Sequence, residues 1–155
     1  MSENPKTEIY VDGDACPVKD EVLRVAVRHG LRVHMVSNQY FRLPDSPLIN
    51  RVLVPEGPDA ADDWIAERIG AADIAITADI PLAARCLEKG ARALGPTGKP
   101  FTEDSIGMAV AMRDLMAHLR ETGDVSGHNP SFAKRDRSRF LEALETAVRA
   151  AAKPG

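Results

Sequence analysis

The sequence predicts an α/β fold: a mainly parallel central sheet with helices on both faces, followed by C-terminal helices. Three observations carry this. Short apolar runs alternate with stretches of helical apolar spacing through the first two thirds of the chain. Several of the runs stop abruptly at Asp or Ser, as strands do at the carboxyl edge of a parallel sheet. Beyond the turn-rich "PTGKPF" the strand patterns cease and only helical ones follow.

Taken in order, Ile9 to Val11 is a short buried strand that ends at Asp12. "VKDEVLRVAVRHG" spaces Val18, Val22, Val25 and Ala26 as one helical face and stops at Gly30. "LRVHMVS" alternates and ends at Ser37, a second strand, and "YFRLPDSPLIN" is a loop with two prolines. "NRVLVPEG" gives a third strand. "PDAADDWIAERIG" is a short helix opened by Asp59 and closed at Gly70. "DIAITAD" is a fourth strand with an acidic end at Asp79, "IPLAARCLEKG" a helix and "ARALG" a fifth strand. A long helix from about Glu103 to Arg120, opened by Thr102 or Asp104, carries Met108, Met112, Leu115, Met116 and Leu119 at helical spacing; core packing explains that stripe. A loop containing His128, expected to be exposed, leads to the last helix, "SRFLEALETAVRAAA".

The bulk composition narrows the class. A chain of 155 residues is expected to form one domain, 1–155, with residues 1–7 and 151–155 frayed. Hydrophobic content of 44% against 28% charged is that of a globular protein, and a net charge of −3 argues against a strongly basic DNA-binding module. Cys16 and Cys86 lack metal-ligand spacing and fit reduced cytosolic thiols. The polar opening residues, with Pro5, do not form a signal peptide, and no apolar run approaches the ~18 residues of a membrane span. The expectation is a cytoplasmic protein with no membrane association; monomer and homodimer both stay open.

The acidic residues raise the functional question. Asp12 ends the first strand and either turns the chain or binds a ligand. Asp14 either caps the next helix, with Pro17 in its first turn, or completes the same pocket. Asp62 and Asp63 lie in the first turns of their helix, where the dipole favours acids. Asp62 shares a face with Ile65 and Ile69, so it looks toward the sheet, whereas Asp63 is rotated from it by about 100° and looks to solvent. Asp79 either caps its helix, with Pro81 just inside, or joins the site. Asp73 begins the fourth strand and so lies at the opposite edge. Carboxylates gathered at one edge repel and raise one another's pKa, unless a hard cation such as Mg²⁺ or Mn²⁺ joins them. Such an ion suits phosphodiester hydrolysis.

With "VDGDACP", "VSNQ", "PDAADDWI", "ITADIPLAARCLEKGA" and "FAKRDRSRFLEAL" in this order, the chain resembles the bacterial YaiI/YqxD family, placed within the PIN-like nuclease superfamily. The resemblance runs from about Ile9 to Leu144. It implies a PIN-like (Rossmann-like) three-layer sandwich and an acidic pocket where PIN-type ribonucleases bind Mg²⁺ or Mn²⁺. By position Asp12 matches the first-strand aspartate of those nucleases, Asp62 the acid of the middle helix, and Asp79, after Thr77, the aspartate beyond the strand end. These three are the implied metal ligands. A fourth acidic position is matched poorly, with Asp14 as its substitute, which weighs against a two-metal arrangement.

Around this pocket Ser37 and Asn38 either orient a ligand or merely turn the chain, and Thr77 is a further candidate for contact with substrate. Lys134, Arg135 and Arg139, with Arg137, form a basic segment suited to flanking phosphates, or simply a solvated helix face. Trp64 and Phe101 are expected to pack rather than to stack on bases. Three functions compete. The first is a metal-dependent nuclease with RNA as partner. The second is a haloacid-dehalogenase-type phosphatase with Asp12 as nucleophile, Asp14 as acid and Ser37 on the phosphate, although no convincing lysine follows Ser37. The third is a non-catalytic nucleic-acid-binding protein.

Overall fold

A computed structural model describes residues 7–13, 16–40, 42–44, 46–57, 59–108, 111 and 134–152. Five strands, β1 (Ile9–Asp12), β2 (Val33–Ser37), β3 (Ile49–Leu53), β4 (Ile74–Ile76) and β5 (Arg92–Leu94), form one parallel sheet in the order β3-β2-β1-β4-β5. Helices α1 (Lys19–His29), α2 (Ala60–Arg68), α3 (Ile80–Glu88) and α4 (Lys134–Ala152) complete the named elements, and residues 103–108 are also helical.

Strand alternation builds the layers. Ile9, Val11, Val33, Met35, Ile74, Ile76 and Leu94 face one way and pack with Val22, Val25 and Ala26 of α1 and with Phe140 and Leu144 of α4. The intervening residues Tyr10, Val36, Ala75 and Ala93 face the other way and pack with Ile65 of α2 and with Leu82, Ala83 and Cys86 of α3. The central strands β1 and β4 are buried on both faces and are apolar throughout apart from Asp12, whereas the outer strands β3 and β5 keep exposed polar residues such as Arg51 and Arg92.

The five expected strands and the helices α1 to α4 are present, with several shifts at their ends; of the long helix expected from about Glu103 to Arg120, residues 103–108 are helical and most of the rest lies outside the described residues. α1 starts at Lys19, with Val18 in the cap position and no side-chain cap, so the reading of Asp14 as its cap is corrected. Pro17 disfavours helical backbone at the residue before it, Cys16, which lies outside the helix. Gly30 ends α1 in the left-handed region at φ 66°, its N–H donating to the carbonyls of Ala26 and Val27. Asp59 occupies the cap position of α2, but its side chain makes no capping bond. Thr102, rather than Asp104, opens the next helical stretch: its Oγ1 accepts from Ser105 N at 3.0 Å, and Ser105 Oγ accepts from Thr102 N at 2.7 Å. Met108 is 74% exposed, so core packing does not account for the start of that methionine and leucine stripe. Met112, Leu115, Met116, Leu119 and His128 lie outside the described residues.

A close approach fixes α4 against the sheet. Gly98, at φ 90°, brings its backbone so near α4 that a Cβ there would lie 2.8 Å from the Arg139 carbonyl oxygen. Gly98→Ala combines a strained φ with a backbone clash and is expected to cost about 2 kcal/mol or more. Urea unfolding checks this, since a variant as stable as the parent would mean that α4 does not press on this turn.

Candidate functional site

The strand order creates a switch point. From β1 the chain proceeds to β2 and β3 on one side, and β4 and β5 pair on the other. In parallel sheets of this kind a crevice opens at the carboxyl ends of the two strands where the order reverses, here β1 and β4. Asp12 is the last residue of β1, and Thr77 and Asp79 follow β4 directly. By strand alternation Asp12 points to the side of Tyr10, and Thr77 to that of Ala75, which is the layer of α2 and α3.

A single hydroxyl ties the two strand ends together. Thr77, 3% exposed, donates from Oγ1 to Asp12 Oδ2 at 3.1 Å and accepts from Asp79 N at 2.9 Å. Asp79 in turn caps α3, its Oδ1 accepting from Leu82 N at 2.8 Å, with Pro81 in the first turn. The capping role is therefore real, and it holds the carboxylate in place at the crevice.

Asp62 completes the group from the first turn of α2, half-buried, while its neighbour Asp63 is exposed. The Asp62 carboxyl is pushed up from its ordinary 3.8 to about 6, first by burial, then by the charges of Asp79, Asp12 and Asp59; Arg85 opposes them. Like charges from three separate chain segments thus act on one another at the switch point. Asp63 points away and binds Arg85 Nη1 at 2.8 Å. Sequence reasoning passed over Arg85, because its nearness to Asp62 depends on how α3 packs on α2, which no local pattern specifies.

The donors here are oxygens, the type hard cations prefer. Among the described residues no three His, Cys, Asp or Glu side chains are gathered closely enough to hold one ion together. The arrangement therefore does not form an all-protein cage. It fits the Mg²⁺ mode, in which one or two carboxylates bind directly and retained waters bridge to the rest. Asp12, Cys16, Ile76, Thr77, Ala78 and Pro96 line an adjoining cavity of about 30 Å³, room enough for a water.

The other candidates fall in different places. Asp14 lies outside the described residues. Ser37 is buried and alternates toward the α1 face, opposite Asp12; its Oγ accepts from Gln39 N at 3.0 Å, a turn-forming bond. Asn38 is half-buried in the bend that follows. Lys134, Arg135 and Arg139 are exposed on α4 and form no ion pair with Asp12, Asp62 or Asp79. Arg137 does anchor their helix beside the crevice: its Nη1 donates to the Pro17 carbonyl at 2.7 Å and to Glu21 at 3.3 Å. That bond brings the start of α4 to the loop that follows Asp12.

Several groups are accounted for structurally. Asp73 accepts from the backbone of Glu8 at 3.0 Å and of Gly70 at 2.8 Å, away from the crevice. Trp64 and Phe101 pack on the α2–α3 side, as expected. Burial pushes the Cys16 thiol up, and that of Cys86 up to about 11, so neither is a ready thiolate nucleophile. Among the described residues no helix is long and apolar enough to cross a membrane.

Residues 10–150 match the family described as "Uncharacterized BCR, YaiI/YqxD family". Similar proteins include a UPF0178 protein of Parvibaculum lavamentivorans, 67% identical over 93% of this chain and 95% of its own. Another, from Rhodospirillum rubrum, is 64% identical over 92% of this chain and 96% of its own. A third, from Rhodopseudomonas palustris, is 56% identical over 96% of this chain and 91% of its own. No solved structure matches the chain. With a family match over nearly its whole length and relatives this similar end to end, the chain belongs to the YaiI/YqxD family.

Proposed function

We propose that this protein is a divalent-cation-dependent nuclease that hydrolyses RNA phosphodiester bonds at the crevice formed by Asp12, Asp62 and Asp79. The observation that carries this reading is the meeting of Asp12, Asp62 and Asp79 at the switch point, where burial first, and then the charges of Asp79 and Asp12, push the Asp62 carboxyl up to about 6. Carboxylates brought together from separate chain segments disfavour one another's charged form, and a bound cation would offset that cost. The parallel order β3-β2-β1-β4-β5, with an acid after each of the two switch-point strands, also supports the PIN-like placement.

Mg²⁺ or Mn²⁺, when bound, supplies charge neutralisation on the phosphate and a more acidic water. The protein's own residues do the rest. Asp12 and Asp79 provide negative charge at the two strand ends, and Thr77 fixes the orientation of Asp12 through the 3.1 Å bond. The cap on α3 keeps Asp79 from swinging into solvent. Asp62, half-buried in the first turn of α2 and close enough to feel the charges of Asp79 and Asp12, would add a third oxygen donor toward the ion, directly or through water. Lys134 and Arg135, carried to this end of the molecule by Arg137, offer charge to phosphates further along the strand.

A fluorogenic single-stranded RNA incubated with purified protein, titrated with Mg²⁺ and then Mn²⁺, tests this. Cleavage that requires the ion and stops on chelation is the expected result. Binding of RNA with no cleavage under any ion would instead favour the non-catalytic nucleic-acid-binding reading.

A further inference from the structure

The first turns of α4 grip the chain on both sides of the crevice. On the β1 side, Arg137 donates from Nη1 to the Pro17 carbonyl at 2.7 Å and to Glu21 Oε1 at 3.3 Å. Glu21 lies in the first turn of α1, and its side chain is 13% exposed, so this anchor is partly buried. On the β5 side, α4 presses on the turn that holds Gly98, where a Cβ would lie 2.8 Å from the Arg139 carbonyl oxygen and 3.2 Å from the Ala143 Cβ. Phe140 and Leu144, fully buried, seat the same helix against the sheet. The two stretches so gripped meet at one small cavity. Cys16, next to Pro17, and Pro96, two residues before Gly98, line it together with Asp12 and Thr77. A space with room for a water leaves its walls little freedom to shift, and close-packed walls pass strain on to what they touch.

Resting on the cation site of the proposed function, we infer that Arg137 is a positioning residue of that site: it holds Cys16 and Pro17 against Asp12, and so keeps the Asp12 carboxylate in the orientation the ion needs. Two supports then act on this carboxylate from different sides. Thr77 donates to its Oδ2 from the end of β4. The Cys16 wall, fixed through Pro17, closes on it from the chain that continues β1. An arginine suits the second task. Its charge-assisted bonds are stronger than neutral ones, and Glu21 keeps the guanidinium aimed at a backbone carbonyl that has no net charge to attract it. Outer supports of this kind set ligand orientation in metal sites, and their loss is read in metal affinity. Lys134 and Arg135 differ in kind, since they are exposed on the same helix and fit attraction of an RNA strand.

Titration calorimetry of the full chain with Mn²⁺ alone, well below the melting transition and without RNA, reads this directly when set beside the Tm in chelator. Arg137→Ala is expected to weaken Mn²⁺ binding about fivefold, the size of effect seen when a contact one step removed from a site is lost. Arg137→Lys should recover part of the affinity, because it restores the charge without the fork. Val148→Ala supplies the control. Val148 is buried in the same helix, about 16 Å from Arg137 along the axis, so its truncation should lower Tm through lost packing and leave Mn²⁺ affinity at the parental value. Glu21→Gln acts through Arg137, so its effect should vanish in the Arg137→Ala background. An equal effect in both backgrounds would be that of a removed negative charge and would overturn the role of the anchor. An Arg137→Ala protein with parental Mn²⁺ affinity overturns the inference while leaving the cation site intact. So does a Val148→Ala protein that loses as much affinity, since general loosening of α4 would then suffice. Mn²⁺ binding that depends on Arg137 in a protein that never cleaves RNA loses the nuclease reading and keeps the positioning role. No Mn²⁺ binding by the parent protein removes the cation site and the inference together.

Discussion

Asp12→Asn and Asp79→Asn are each expected to lower RNA turnover by roughly a hundredfold or more, with the double variant little worse than either single one. Residues that act as one unit lose their joint effect at the first substitution, so independent, multiplicative losses would separate them into two sites. The choice of asparagine matters. At Asp79 the amide oxygen can still accept from Leu82 N, and Asn caps helices about as well as Asp, so α3 should keep its start. Asp79→Ala would add a stability loss of about 1 kcal/mol that confuses the reading. At Asp12 the amide oxygen can likewise accept from the Thr77 hydroxyl. Both variants thus remove charge while keeping these two hydrogen bonds. Arg135→Ala should behave differently, weakening the binding of long substrates and their salt dependence while sparing turnover at saturation. An Asp12→Asn protein that cleaves at the parental rate would place the activity in a contaminant or at another site.

Stability should fall as pH rises through the window between 3.8 and about 6, insofar as Asp62 contributes. In that window the folded chain holds a proton on Asp62 that the unfolded chain has already released. The protein therefore binds more protons when folded, and raising the pH favours unfolding. Below 3.8 the carboxyl is protonated in both states and the effect is absent; above about 6 it is complete. Asp62→Asn removes the ionisable group, so the variant should melt higher than the parent at pH 7 in chelator, with the gap closing toward pH 4. A cation supplied at pH 7 relieves the same repulsion, and its benefit should shrink as the pH drops through 6. Melting curves from pH 4 to pH 8, with and without Mg²⁺, check both statements. A gap that widens on acidification would mean that a favourable partner, and not burial and repulsion, governs the Asp62 carboxyl.

Much of this geometry was legible in the residues. The order of strand and helix patterns gives the layers, because a parallel sheet requires a helix or long crossover between its strands. Asp12 and Asp79 are visible as abrupt acidic ends to apolar runs, and the rotation of about 100° between neighbours separates Asp62 from Asp63 on a helix. The observed half-burial of Asp62 and exposure of Asp63 follow that rotation. What was hidden depends on packing between distant segments. That Arg85 meets Asp63, 22 positions away, and that Arg137 reaches the Pro17 carbonyl, 120 positions away, are consequences of how α3 sits on α2 and α4 on α1. Ser37 looked like a partner of Asp12 because both end strands, yet the register pairs Asp12 with Val36, and alternation sends the Ser37 side chain to the other face. A shift of one residue in register reverses facing, and no local pattern records it. The helical run that begins at Val18 marks the start of α1 to within one residue, whereas a carboxylate before such a run suggests a cap that Asp14 does not provide, since Val18 takes that position.

The central claim is that Asp12, Asp62 and Asp79 form one cation-binding site, and calorimetric melting with and without Mn²⁺, in the parent protein and in Asp12→Asn, tests it most directly. An ion at a hundred times its Kd adds about 2.7 kcal/mol to the folded state, which for a chain of this size is a rise of about 5–10 °C in Tm. The expected result is that rise in the parent and almost none in Asp12→Asn, whose Tm in chelator is equal to or above the parent's because one of the repelling charges is gone. An equal Mn²⁺-dependent rise in both proteins, or a chelator Tm for Asp12→Asn well below the parent's, would contradict a shared cation site at this crevice.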